Sequence, residues 1–261
     1  MHIDHMSAEE LATQLASLET QYEELESMGL SLDLTRGKPS TDQVALSNAL
    51  DGILAGNYLA ADGTDVRNYG GLEGLPELRE RFGALLGVPA EETLIGGNSS
   101  LNLMYTTLEF AMSEGLRGPE TAWGNKDSVK FLCPVPGYDR HFAVCEHLGI
   151  EMINVPILED GPDMDLVERL VAEDDSIRGI WCVPRFSNPT GCVYSDATVE
   201  RIARLGQLAA PHFLVMWDNA YAVHNLYPDA PELASIRACC EQHGTLDSVV
   251  QFGSTSKMTF A

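Results

Sequence analysis

Positive charge is scarce in this chain. Sixteen Lys and Arg stand against 39 Asp and Glu in 261 residues, a formal net charge of −23 with histidine neutral. So acidic a surface repels a nucleic-acid backbone and an anionic membrane, and neither is expected as a partner. Any anionic ligand has to be gripped by a local site. Lysine is the rarest cation of all, found only at Lys38, Lys126, Lys130 and Lys257. The chain also lacks a run of about 18 uncharged apolar residues, and its first residues, Met1-His2-Ile3-Asp4-His5-Met6-Ser7, lack the basic start and apolar centre of a signal peptide. A cytoplasmic location is the resulting expectation. Six cysteines show no Cys-x-x-Cys spacing and seven histidines no His-x-x-x-His spacing, so buried reduced thiols are expected and a metal site is not.

What is present is ample apolar material, 44% of residues, enough for a sizeable core. Ser7-Ala8-Glu9-Glu10 reads as a capping box, and Leu11, Leu15, Leu18, Tyr22, Leu25 and Met28 recur behind it at helical spacing. From about residue 66 onward, apolar runs alternate with helical patterns. The runs are Thr93-Leu94-Ile95, residues 129–133, 152–155, 179–183, 213–217 and 248–252; the helical patterns are 100–116, 138–148, 163–172, 196–208 and 231–242. Continuous apolar runs imply strands buried on both faces, which a parallel sheet with crossover helices requires. The fold class is therefore α/β. Residues 115–127 read as a surface loop.

In open α/β sheets ligands gather beyond the carboxyl ends of the strands, and five such positions are chemically unusual. Gly96-Gly97-Asn98-Ser99-Ser100 precedes a helix and offers glycines and free N–H groups to an anion, or else is a simple helix cap. In Pro136-Gly137-Tyr138-Asp139-Arg140-His141, either Tyr138 or His141 could lie against a flat ring or simply pack. Asn188-Pro189-Thr190-Gly191 is a turn whose amide could also donate to a ligand oxygen. Asp218-Asn219-Ala220-Tyr221 ends a buried strand with a carboxylate, which needs a positive partner unless it caps a helix. Ser254-Thr255-Ser256-Lys257 leaves a strand with hydroxyls suited to a phosphate and an amine suited to a carbonyl. Taken singly, each of these has an ordinary structural explanation. Together they make a set of phosphate cradle, amide, carboxylate, phenol and amine at the strand ends of one sheet.

Asn188-Pro189-Thr190-Gly191, Asp218-x-x-Tyr221 and Ser254-x-Ser256-Lys257, in that order, resemble the motifs of fold-type I pyridoxal-phosphate enzymes of the class I/II aminotransferase superfamily. Tyr69-Gly70-Gly71-Leu72-Glu73-Gly74-Leu75-Pro76 is similar to that family's tyrosine and glycine segment. Thr35-Arg36-Gly37-Lys38-Pro39, the Asn98 loop and the Tyr138 loop look most like a bacterial aspartate aminotransferase subgroup related to the effector domains of MocR-type regulators.

The resemblance implies a three-layer αβα large domain with a mostly parallel sheet, residues 51–261, incomplete at its C-terminus, and an N-terminal helix and segment, residues 1–50, belonging to a smaller domain. It implies pyridoxal 5'-phosphate as cofactor, with Lys257 forming the internal aldimine and later moving a proton. Asp218 would hold the pyridine nitrogen protonated, and Asn188 and Tyr221 would donate to the phenolic oxygen. Asn98, Ser99, Ser100, Ser254 and Ser256 would surround the phosphate, joined by Tyr69 of the neighbouring subunit in a homodimer. Tyr138 would stack on the ring; Gly37, Arg36 and Asn188 would meet the substrate, with Arg140 and Arg185 as further candidates for its distal carboxylate. The implied reaction is transamination between an amino acid and a 2-oxo acid, aspartate with 2-oxoglutarate, the alternatives being β-elimination, decarboxylation or a MocR-like effector role. The family's phosphate-binding and α-carboxylate arginines would lie beyond Ala261, so the chain is not expected to turn over substrate alone.

Overall fold

The computed structural model describes residues 3, 6–32, 39–225 and 227–259. It divides into two units, Met1–Asn48 and Ala49–Ala261. In the first, α1 (Ala8–Ser27) and α2 (Thr41–Ala45) each start on a capping box, Ser7 with Glu10 and Ser40 with Gln43. The reciprocal bonds satisfy N–H groups that a helix start would otherwise leave unpaired. Thr35, Arg36, Gly37 and Lys38 lie outside the described residues.

The second unit is built from α3 (Pro76–Leu86), α4 (Ser100–Ser113), β1 (Lys130–Val135), α5 (Asp139–His147), β2 (Glu151–Leu158), β3 (Gly161–Pro162), α6 (Met164–Glu173), β4 (Ile177–Cys182), α7 (Asp196–Leu208), β5 (Leu214–Asp218), α8 (Ile236–His243) and β6 (Val249–Phe252). The strands form one sheet in the order β3-β2-β1-β4-β5-β6. All pairings are parallel except the short β2–β3 hairpin.

The continuous apolar runs have the expected cause. Every residue of β5 is buried, and so is every residue of β4 except Arg178. Alternate side chains of each strand feed opposite layers. Leu132, Ile180 and Val215 pack with Val167, Val171, Ile202, Leu205 and Ile236 on the face covered by α6, α7 and α8. Their neighbours Phe131, Trp181 and Met216 pack with Met104, Leu108, Val144 and Cys145 on the face covered by α4 and α5. The result is an αβα three-layer fold. Its parallel strands end together, which places the segments after β1, β4, β5 and β6 at one edge.

Three sequence expectations are corrected. Thr93-Leu94-Ile95 is not a strand; a cavity of about 670 Å³, lined by Leu78, Phe82, Leu94, Leu103 and Val250, separates the segment from β6. Without a ladder partner, an extended run stays a coil. Residues 115–127 are not a loose surface loop, because Ala122 and Trp123 are each only 2% exposed, and two 3₁₀ turns carry the chain past them. The helix expected from residue 231 begins only at Ile236, capped by Ser235, while Leu233 and Ala234 pack on the core from irregular chain. Among the described residues no helix is long and apolar enough to cross a membrane, and all six cysteines are free.

Candidate active site

Asp218 ends β5 and is 4% exposed. Its Oδ2 lies 3.1 Å from Nε2 of His141, while Oδ1 is buried with no hydrogen-bond partner. A buried carboxylate oxygen left in this way is costly, and an entering positive donor would relieve that cost. The N-cap alternative for this aspartate does not hold here, because no helix starts behind it.

His141 stands in the first turn of α5, 1% exposed. Its ring stacks flat on Trp181 of β4, with centroids 4.2 Å apart and planes 8° from parallel. Tyr138, the residue just before α5, meets the same imidazole edge-on at 5.1 Å. Trp181 in turn donates its Nε1–H to Cys145 Sγ at 3.2 Å. The carboxylate is therefore backed by a rigid aromatic stack.

Tyr221 lies three residues past Asp218 in the turn that follows β5. Burial pushes its phenol up from the ordinary range, and the neighbouring Asp218 and Tyr138 push it further the same way. Over its ring sits the amine of Lys257, 4.9 Å from the centroid. The loop that carries Lys257 is fixed to the loop before α4: Ser254 Oγ and Ser256 Oγ donate to the carbonyl of Asn98 at 3.0 and 3.1 Å and lie 2.7 Å from each other.

That second loop reaches α4 through Ser99, whose hydroxyl accepts from Asn102 N at 3.3 Å. Ser100 is the first helical residue, and the N–H groups of this turn have no upstream carbonyl to accept them. A Cβ on Gly97 would meet nothing within 4 Å, so the approach is open. Hydroxyls, helix N–H groups and open backbone form a donor set that fits a phosphate. Together with the orphaned Asp218 oxygen and the Lys257 amine, the residues present fit pyridoxal phosphate.

The structure thus brings together Lys257, Tyr221, Asp218 and Tyr138, and separately Asn98, Ser99, Ser254 and Ser256. It does not bring Asn188 into contact with them; that side chain stands exposed in the turn after β4, with no hydrogen bond among the described residues. Tyr69 is fully exposed. Arg140 is exposed beside Asp139, and Arg185 is tied to the carbonyls of Ala222 and Pro231 at 2.6 and 2.9 Å. Gly37 and Arg36 lie outside the described residues. Sequence reasoning missed the pairing of His141 with Asp218 and missed His224 altogether, whose Nε2 lies 2.8 Å from the Lys257 carbonyl. The spacing Tyr138-x-x-His141, the N-cap and first turn of α5, and the spacing Tyr221-x-x-His224 were the available signals.

The family model for aspartate aminotransferase matches residues 6–261. A Mycolicibacterium smegmatis protein with an aminotransferase name is 46% identical over all of this chain and 61% of its own length. Aspartate aminotransferase of Corynebacterium glutamicum is 44% identical over 99% of the chain and 60% of its own length. A crystal structure of an aspartate transaminase from C. glutamicum superposes with a TM-score of 0.85 at 45% identity, over 98% of this chain and 60% of that one. The chain spans about 60% of the length of the curated relatives it matches.

Proposed function

The chain belongs to the aspartate aminotransferase family, and from that premise we propose that the protein performs pyridoxal-phosphate-dependent transamination, with aspartate as amino donor and 2-oxoglutarate as acceptor. The observation that carries this reading is the convergence at one sheet edge of a buried, half-satisfied carboxylate, Asp218, and an amine, Lys257, both beside Tyr221.

When bound, pyridoxal phosphate supplies an aldehyde and an electron-withdrawing ring. Asp218 offers Oδ1 to the ring nitrogen and keeps it protonated, while His141 holds Oδ2 and fixes the carboxylate. Tyr138 is the aromatic side chain available to lie over the ring. Tyr221, its phenol protonated at neutral pH, donates to the ring's oxygen, and Asn188 is the second donor proposed for it. Asn98, Ser99, Ser100, Ser254 and Ser256 surround the phosphate; for Ser254 and Ser256 this requires their hydroxyls to turn from the Asn98 carbonyl.

Lys257 Nζ is the amine that would hold the cofactor's aldehyde, with release of water. With an amino acid bound in its place, the Lys257 amine would be the base that takes up the substrate's α-proton and the acid that gives it back. Gly37, Arg36 and Asn188 are the proposed substrate contacts. Tyr69, fully exposed, is the residue proposed to reach the site of a second subunit in a cytoplasmic homodimer with shared sites.

The test uses the full-length protein reconstituted with pyridoxal phosphate. Borohydride reduction followed by peptide mapping should place the pyridoxyl group on Lys257, and aspartate should convert the absorbance to that of pyridoxamine phosphate. Label on another lysine, or no conversion with any amino acid, defeats the proposal; release of ammonia or carbon dioxide instead of a 2-oxo acid redirects it to elimination or decarboxylation.

A further inference from the structure

His224 lies three residues beyond Tyr221, half-buried in the turn after β5. Its Nε2 is 2.8 Å from the Lys257 carbonyl oxygen. A carbonyl only accepts, so Nε2 carries the hydrogen. The other ring nitrogen, Nδ1, is buried with no partner, so the Lys257 carbonyl is the hydrogen bond that orients this ring. Its edge meets the Tyr221 ring at 5.8 Å and 87°. The same Tyr221 ring faces the Lys257 amine. Main chain and side chain of one lysine are thus bracketed by His224 and Tyr221, which touch each other.

Lys257 needs such a bracket. Residues 255–259 form a tight turn in which Met258 N and Thr259 N both bond to Thr255 O, at 2.8 and 3.1 Å. The lysine carbonyl has no partner within that turn and points to the imidazole instead. Upstream, the loop is fastened through Ser254 and Ser256 to Asn98; downstream, the His224 bond is the fastening. An amine on a four-carbon stem has wide freedom, and a shift of its backbone anchor is passed on to it.

We infer that His224 is a positioning residue for Lys257: it holds the lysine carbonyl and braces Tyr221, and so sets where the amine stands. Placement of the amine follows from the geometry alone; its consequence for turnover rests on the proposed transamination. The chemistry also explains why a histidine suits this point, since one edge of the ring donates while its apolar flank packs on a phenol.

Two variants of the full-length protein test the inference. His224→Phe keeps the contact with Tyr221 and removes the donor; His224→Gln restores a donor of similar reach. In the cofactor-free protein, competitive acetylation read by mass spectrometry reports the reactivity of Lys257 against Lys126. Freed from its contact with the Tyr221 ring, Lys257 should be labelled about two- to fivefold faster in His224→Phe, and His224→Gln should return to the original rate. In the loaded enzyme, kcat should fall about tenfold or more in His224→Phe with KM for aspartate nearly unchanged.

Unchanged labelling in His224→Phe overturns the inference, as does a folded His224→Gln protein that behaves like His224→Phe. If borohydride never fixes pyridoxal phosphate on Lys257 in the unaltered protein, the proposed function fails, whereas the labelling comparison still decides the role of His224.

Discussion

His141 and Asp218 form a buried pair: Nε2 of one lies 3.1 Å from Oδ2 of the other, with side chains 2% and 5% exposed. One carboxylate oxygen is thereby committed to the protein and the other is left for a ligand. The two oxygens have different tasks, and substitutions should separate them.

Asp218→Asn keeps the shape and removes the charge, so the affinity of the full-length apoprotein for pyridoxal phosphate should fall at least about 30-fold, the usual loss when one partner of a buried charge pair is removed. His141→Phe leaves both oxygens without a partner and should destabilise the apoprotein by about 1–3 kcal/mol. Fluorescence titration with the cofactor and thermal melting of the apoprotein measure the two effects.

Gly179 sits in the middle of β4, where an added Cβ would lie 2.2 Å from Phe131 Cζ and 2.6 Å from the Leu214 carbonyl oxygen. Neither the packed ring nor the strand backbone can move aside. Gly179→Ala should cost about 1–3 kcal/mol, lowering Tm by about 2–4 °C for each. Gly97→Ala, which meets nothing within 4 Å, should melt with the unaltered protein.

Lys130 Nζ lies 2.8 Å from Asp174 Oδ2. That bond, with those from Ser176, lowers the Asp174 carboxyl from 3.8 to about 2. A lowered carboxylate stabilises the fold above its ordinary value, and the contribution is lost as pH falls toward the lowered one. Asp174→Asn should therefore have the lower Tm at pH 7, and the gap should close between about pH 4 and pH 2. Melting curves of both proteins across that range check the sign.

Arg185 spends both terminal nitrogens on the Ala222 and Pro231 carbonyls. An ammonium cannot span two acceptors as that fork does. Arg185→Lys should lower Tm while leaving the ratio of kcat/KM for aspartate over an apolar amino acid unchanged. A collapse of that ratio at unchanged Tm would instead make the arginine a substrate group.

The buried strands were legible because a parallel sheet covered on both faces leaves no polar positions, as in β5, where only the terminal Asp218 is polar. Asp218 and Lys257 could be picked out because polar groups following such runs have few structural reasons to be there. Thr93-Leu94-Ile95 misled because so short a run carries no information on whether a partner strand is beside it. Leu233 and Ala234 reach the core without the helix that their pattern suggested, since burial needs only contact. The His141 bond to Asp218 joins residues 77 apart, and its geometry depends on how α5 starts over β4. No local pattern encodes that.

The aromatic column behind the site has an optical consequence. Trp123, Phe131, Trp181, His141 and Tyr138 follow one another at centroid spacings of 6.0, 5.6, 4.2 and 5.1 Å. Two buried indoles are thus coupled in line to the rings beside Asp218, and one of them lies flat on the His141 imidazole. The column works as a built-in lamp: any near-ultraviolet absorber seated at the strand ends would dim it by energy transfer.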